Sequence, residues 1–203
     1  MAQSSSGIRS ILEIPVIYDV FQSLVGAKLF HQEFVKDFIR PTEGAKLLDI
    51  GCGTAQILAC LPSDITYVGY DPSPEYIARA RRNFGRRAEF TVGFYDEAAA
   101  SSHTPFDLAL ATGVLHHMDD EQVIALCELV RKSLKPQGRF VTIDGAFCSE
   151  QTALARFLTK RDRGANVRRP EEYVALVTPH FVEVKTEVKN RFWYTFFFME
   201  CFV

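Results

Sequence analysis

Long hydrophobic runs are missing from this chain. The longest largely apolar stretch, Phe192–Met199, is far below the ~20 residues a membrane-spanning helix needs, so no membrane association is expected. Paired cysteines are missing too. Cys52, Cys60, Cys127, Cys148 and Cys201 form no C-x-x-C pair and show no metal spacing with histidine. That argues against a disulfide scaffold and against a metal site, and it points to reduced thiols in the cytoplasm. The start is polar and Ser-rich, with no apolar region ahead of a cleavage-like site, so no secretory leader is expected. A dominant charge sign is lacking as well. The 23 Lys and Arg against 25 Asp and Glu give a net charge of -2, which exerts no global pull toward nucleic acid or an anionic surface. What remains is ordinary for one globular domain with a real core: 203 residues, 47% hydrophobic and 24% charged.

The stretch Leu47-Leu48-Asp49-Ile50-Gly51-Cys52-Gly53-Thr54-Ala55 organises what is there. An apolar run ends in an acid, two glycines flank a small residue, and helix-forming residues follow. That reads as a buried strand, a tight turn and the start of a helix. Glycine lets the backbone turn sharply and lets a ligand approach without meeting a Cβ. The turn is expected to present backbone N–H groups at a helix N-terminus. A dinucleotide fingerprint G-x-G-x-x-G needs a third small residue where this chain has Gln56. Asp49, just ahead of the loop, would repel a pyrophosphate and attract an ammonium group. Both departures point away from NAD or FAD and toward a cofactor that carries an amino acid. The stretch resembles the first motif, D-x-G-x-G-x-G, of the class I S-adenosylmethionine-dependent methyltransferases, in the small-molecule group with type 11/12-like domains. Asp49, Gly51 and Gly53 match; Ala55 stands in for the third glycine, a mild change at a helix start.

Upstream, apolar residues from Phe21 to Phe38 fit an amphipathic helix over Asp19–Ile39, ended by Arg40-Pro41. Downstream, a strand over Thr66–Tyr70 ends at Asp71. Ser73 is placed to cap the next helix and Pro74 to open it. A third strand, Ala88–Val92, leads into Gly93-Phe94-Tyr95-Asp96. A fourth, Asp107–Ala111, leads into Thr112-Gly113-Val114-Leu115-His116-His117. Asp119 or Asp120 caps a helix with Val123, Cys127, Val130 and Leu134 as its buried stripe. Lys135-Pro136-Gln137-Gly138 ends that helix before a fifth strand, Phe140–Ile143, with Asp144 at its end. Residues 150–178 break the alternation and carry Arg156, Lys160, Arg161, Arg163, Arg168 and Arg169, followed by a helix from Pro170. Phe181–Lys189 and Trp193–Val203 read as a closing hairpin.

The resemblance extends along the chain. Asp71-Pro72-Ser73 is similar to the family's second motif, and Phe106-Asp107 followed by Val114-Leu115-His116-His117 to its fourth-strand signature. Leu134–Arg139 resembles the family's L-K-P-G-G-x turn with Gln137 replacing a glycine, and the terminal hairpin is how the family ends. Over roughly residues 45–203 this implies an α/β fold: a Rossmann-like three-layer sandwich with a seven-stranded, mostly parallel sheet. The implied order is 3-2-1-4-5-7-6, with an antiparallel C-terminal strand. One domain, 1–203, is expected: a disordered tail over 1–9, a helical cover over 10–44 and a catalytic core over 45–203. The implied cofactor is S-adenosyl-L-methionine, giving S-adenosyl-L-homocysteine. Asp49 would take the methionine ammonium, the backbone of Gly51, Cys52 and Gly53 the methionine end, and Asp71 with Pro72 the ribose; Thr112 and Gly113 would line the pocket. Adenine falls to Tyr95, Asp96, Phe94 or a backbone N–H, a choice the sequence leaves open. His116, His117 and a lid residue, Tyr18, are the catalytic candidates; no metal is implied. The implied reaction is methyl transfer to a small-molecule acceptor, an anionic one if Arg163 and Arg168 grip it. No nucleic-acid partner is expected, and the protein is expected to be a monomer or homodimer. The alternatives are an S-adenosylmethionine-binding protein without catalysis and a nicotinamide-dependent reductase, which Gln56 and the hairpin disfavour.

Overall fold

The apolar run Lys46–Ile50 becomes β1, the central strand of the sheet in a computed structural model that describes residues 27–103, 105–161 and 164–203. Two compact units divide at Arg40 and Pro41. In the first, the helix expected over Asp19–Ile39 is present from Ala27 on. It runs as α1 (Ala27–Phe34), continues as a π-helical turn, Val35–Ile39, and ends on Arg40 at φ 40°. Tyr18 and residues 1–9 lie outside the described residues.

The second unit alternates strands and helices: β1, β2 (Thr66–Asp71), α2 (Pro74–Phe84), β3 (Ala88–Val92), α3 (Glu97–Ser102), β4 (Phe106–Thr112), α4 (Asp120–Ser133) and β5 (Leu134–Gly145). Then come α5 (Ala153–Lys160), α6 (Pro170–Val177), β6 (Glu183–Asn190) and β7 (Thr195–Phe202). The seven strands take the order β3-β2-β1-β4-β5-β7-β6. β1 pairs in parallel with β2 and β4, and β7 runs antiparallel to both β5 and β6. Helices flank the sheet. The patterns have physical causes. Leu47, Leu48, Asp49 and Ile50 are all buried, because a central parallel strand is covered on both faces and therefore reads as a continuous apolar run. β6 is an edge strand, and its Glu183, Lys185, Glu187 and Lys189 place charge along the exposed edge, which discourages pairing with another chain. No helix among the described residues is long and apolar enough to cross a membrane.

Helix starts follow their local chemistry. Ser73 Oγ accepts from Tyr76 N–H at 3.3 Å with Pro74 opening α2, and Asp119 and Gln122 form a reciprocal capping box on α4. Two expectations need correction. The segment after the glycine loop is not an α-helix; it is a single 3₁₀ turn, Gln56–Ala59, entered through Ala55 at φ 56°. The turn expected between α4 and the fifth strand is absorbed into a longer β5. That strand pairs with Phe106 at Leu134, shifts register, and resumes pairing at Arg139 with Leu108. Gln137 inside the shifted stretch has φ 68°, and Leu134, expected on the helix stripe, belongs to the strand.

Candidate active site

The carboxyl ends of β1, β2, β4 and β5 gather the loops that matter, as open α/β sheets do at the point where strand order reverses. Gly51 and Gly53 have φ of 71° and 53°, backbone that only glycine adopts without strain. A Cβ on Gly51 would stand 2.6 Å from Val114 Cγ2, so this turn can only press against the β4 loop without a side chain. A Cβ on Gly53 would meet nothing within 4 Å, which leaves that side of the loop open to a ligand. The loop's N–H groups are used differently from the expectation. Gly51 N–H and Cys52 N–H both donate to Tyr70 O, at 2.8 and 3.0 Å, and Gly53 N–H donates to Asp71 Oδ2 at 2.9 Å. They tie the loop to the end of β2. With a 3₁₀ turn behind it, the loop also lacks an α-helical dipole. Two acids stand beside the loop, Asp49 and Asp71.

Asp49 is the first of these. It is buried inside the sheet, Tyr67 donates its hydroxyl to Oδ2, and Oδ1 has no partner. Burial pushes its carboxyl up to about 7, Asp71 pushing the same way and the Tyr67 hydrogen bond opposing. A buried acceptor without a donor is costly, and an ammonium group is the partner that would relieve it. Asp49 thus fits the methionine end of the implied cofactor. Asp71 differs: Oδ1 accepts Ser73 N–H at 2.8 Å and Oδ2 accepts Gly53 N–H at 2.9 Å. An ionised carboxylate has about four lone-pair sites, so two remain for ribose hydroxyls. Asp71 also braces two loops, Gly51–Gly53 and the Pro72-Ser73 start of α2. Pro72 is exposed beside it.

At the β3 end, the adenine candidates separate. Tyr95 is buried in the core, edge-on to Tyr70 at 5.2 Å, with its hydroxyl donating to Ser133 Oγ at 2.9 Å. Asp96 caps α3, accepting Ala99 N–H at 2.8 Å. The exposed ring of this segment is Phe94, 76% exposed. The chain leaves β3 at Val92 through Gly93, at φ 147°, and Tyr95 in the loop beyond faces the core.

At the β4 end, Thr112 is exposed and Gly113, at φ 69°, donates its N–H to Ile143 O at 2.7 Å. A 3₁₀ turn, Leu115–His117, follows and carries both histidines, their ring centroids 4.2 Å apart. His117 is exposed. His116 is buried, and Asp144 Oδ1 binds both its Nδ1, at 2.8 Å, and its backbone N–H, at 3.1 Å. An ionised Asp144 puts the proton on Nδ1 and leaves Nε2 as the basic nitrogen. The ring edge carrying Nε2 lies between two glycines. A Cβ on Gly113 would be 3.6 Å from His116 Cε1, and one on Gly164 would be 2.0 Å from Cδ2. Burial holds Asp144 above the ordinary carboxylate range, its bonds to His116 opposing, and its Oδ2 is unpartnered.

Arg168 is not an anion grip. All five N–H donors are taken: Nε and Nη2 bind Asp120 Oδ1, Nη1 binds Leu115 O and Asn166 O, and Nη2 also binds Met118 O. It ties the His116 turn and the start of α4 to the chain ahead of α6. Arg163 and Tyr18 lie outside the described residues. The sequence reading missed Tyr67, Gly164 and this tie. Only the β1–β2 register could reveal Tyr67, and the other two are long-range contacts.

Residues 48–140 match the family model described as a methyltransferase domain. The chain is similar to that family over this stretch, just under half of its length. The ubiquinone biosynthesis O-methyltransferase of Azorhizobium caulinodans is 35% identical to it over 88 residues, 40% of this chain and 34% of the relative. The chain thus spans about a third of the length of that curated relative. Among solved structures, the pyocyanin biosynthetic protein PhzM superposes with a TM-score of 0.71 at 17% identity, covering 97% of this chain and 62% of that one. A TehB-like S-adenosylmethionine-dependent methyltransferase from Corynebacterium glutamicum superposes at 0.65 and 18% identity, covering 96% of this chain and all of its own, 100%. At these identities the structures speak for the methyltransferase fold, terminal hairpin included.

Proposed function

We propose that this methyltransferase domain moves the methyl group of S-adenosylmethionine to a hydroxyl of a small-molecule acceptor. The observation that carries the reading is the buried Asp49, whose unpartnered Oδ1 sits beside a glycine loop that leaves room for a ligand. When bound, the sulfonium supplies an already activated methyl, so the protein mainly has to orient the acceptor and exclude water. Asp49 holds the ammonium of the cofactor and Asp71 the ribose with its remaining lone pairs. Thr112 and Gly113 line the pocket, and Phe94 offers a ring for adenine. His116 Nε2, with Asp144 holding Nδ1, takes the acceptor's proton. The relatives' names as O-methyltransferases favour an oxygen acceptor. The acceptor need not be anionic, since Arg168 is fully engaged within the fold. Five free thiols suit a reducing cytoplasm. The test is transfer of labelled methyl from the cofactor across an extract of small metabolites, with calorimetry against S-adenosylhomocysteine and NADH. Labelled product and binding of the first ligand alone are expected; binding of NADH alone would sink the reading.

A further inference from the structure

We propose that Tyr67 is a positioning residue of the cofactor site: its hydroxyl holds one oxygen of Asp49 so that the other, ionised, meets the cofactor's ammonium group. The inference rests on the methyl-transfer reading above. The β1–β2 register sets Leu47 opposite Tyr67 and Asp49 opposite Gly69. Residues two apart share a strand face, so Tyr67 and Asp49 are diagonal neighbours. Gly69 has no side chain to fill the space across from Asp49. Cys52 enters it instead; a Cβ on Gly69 would lie 2.8 Å from Cys52 Sγ and 3.1 Å from Phe90 Cδ1. The Tyr67 ring is fully buried and packs against Phe90 at 5.9 Å, which fixes the direction of its hydroxyl.

The surroundings of Asp49 otherwise oppose its charge. From β2, Asp71 adds a like charge; from the loop, the Cys52 thiol faces it; from β4, the residue opposite is the apolar Leu110. Tyr67 is the donor that works the other way. Burial first, and Asp49 next, hold the Tyr67 hydroxyl well above its ordinary range, so it stays a donor at neutral pH. With the donor in place Asp49 ionises near neutrality. Without it the carboxyl keeps its proton to higher pH and offers an ammonium a weaker partner.

Tyr67→Phe keeps the packing and removes the donor. Calorimetric titration with S-adenosylhomocysteine is run on parent and variant from about pH 6 to about pH 8.5, either side of the ordinary range for such a shifted acid. The expected weakening is about tenfold or more at the acid end, since a hydrogen bond to a charged group is the one lost. The ratio of the two dissociation constants falls toward one as pH rises and both carboxyls ionise. Titration of the ligand's own amine is common to both proteins and cancels in the ratio. A ratio near one throughout, or a weakening that does not change with pH, overturns the proposal. Should Tyr67→Phe fail to fold, 3-fluorotyrosine at position 67 is a stronger donor of nearly the same shape. It should shift the midpoint of the pH dependence to lower pH, and an unmoved or raised midpoint overturns the proposal. A parent that binds no S-adenosylhomocysteine at any pH removes the methyl-transfer reading itself, a result distinct from the others.

Discussion

Asp49 on β1 and Asp144 on β5 are both buried carboxylates, and each has one paired oxygen and one unpartnered. Their partners differ. Asp49 is met by a neutral hydroxyl from Tyr67, whereas Asp144 is met by a histidine ring and that histidine's own N–H. A hydroxyl cannot neutralise a carboxylate; an imidazole that gains a proton can. In the proposed reaction the acid at the β1–β2 end would take a cation from outside the protein, and the acid at the β4–β5 end would orient His116 as the base. On that proposal one site holds two like residues in two roles, set by what each touches.

The largest effect expected from breaking this contrast is at His116. His116→Gln should lower kcat by about a hundredfold to ten-thousandfold, the range of general-base catalysis, while leaving S-adenosylhomocysteine affinity nearly unchanged. Steady-state kinetics with calorimetry separates the two. Equal loss in both would place His116 in cofactor binding and erase the contrast.

Asp49 should show itself through stability without ligand. Its carboxyl is raised from 3.8 to about 7 in the folded protein. Between those values the unfolded chain has lost the proton and the folded one keeps it. The ligand-free protein therefore loses stability as pH rises through that window, by up to about 4 kcal/mol. Asp49→Asn should remove the loss, giving a protein more stable than the parent at about pH 8 and much weaker for the cofactor. Urea unfolding at both ends of the window measures it, and a parent equally stable at both would show that Asp49 is not a buried acid of this kind.

Asp71 sharpens the comparison, because its two oxygens already hold Gly53 and Ser73 N–H groups. Asp71→Ala should weaken S-adenosylhomocysteine binding by about 3 kcal/mol, roughly a hundredfold. It should also lower the melting temperature, since two backbone donors lose their acceptor. An unchanged melting temperature would mean that the loop does not depend on this brace. The smallest effects belong to the loops' backbone. Ala55 and Gln137 sit at φ of 56° and 68°. Glycine relieves about 1–2 kcal/mol of left-handed strain and costs about 0.4–1 kcal/mol in unfolded-state entropy. Ala55→Gly and Gln137→Gly should each raise stability by several tenths of a kcal/mol up to about 1, read by chemical denaturation.

Those two positions also show where the sequence could be read and where it could not. Both are places where the resemblance expects glycine and the chain has another residue. At Ala55 the substitution reads as mild only if a helix starts there. The left-handed turn makes it strained, and no local propensity distinguishes a 3₁₀ turn tied to β2 from the first turn of a helix. By contrast, the caps Ser73 and Asp119 were legible, because a cap is a contact between residues three apart.

What the sequence determined by itself is therefore local or periodic. It marks the buried central strand ending in Asp49, the glycines that turn the chain after it, Asp71 one strand–helix–strand unit later, the helix starts, and, through motifs in order, the strand sequence of the sheet. Tertiary structure alone decided the partners. Tyr67 reaches Asp49 because two strands align in one register. Asp144 meets His116 because β5 lies beside β4, and Arg168 closes on Leu115 and Met118 across some fifty positions of chain. A hydrogen bond depends on distance and direction between groups far apart in sequence, and those are set only when the sheet has assembled.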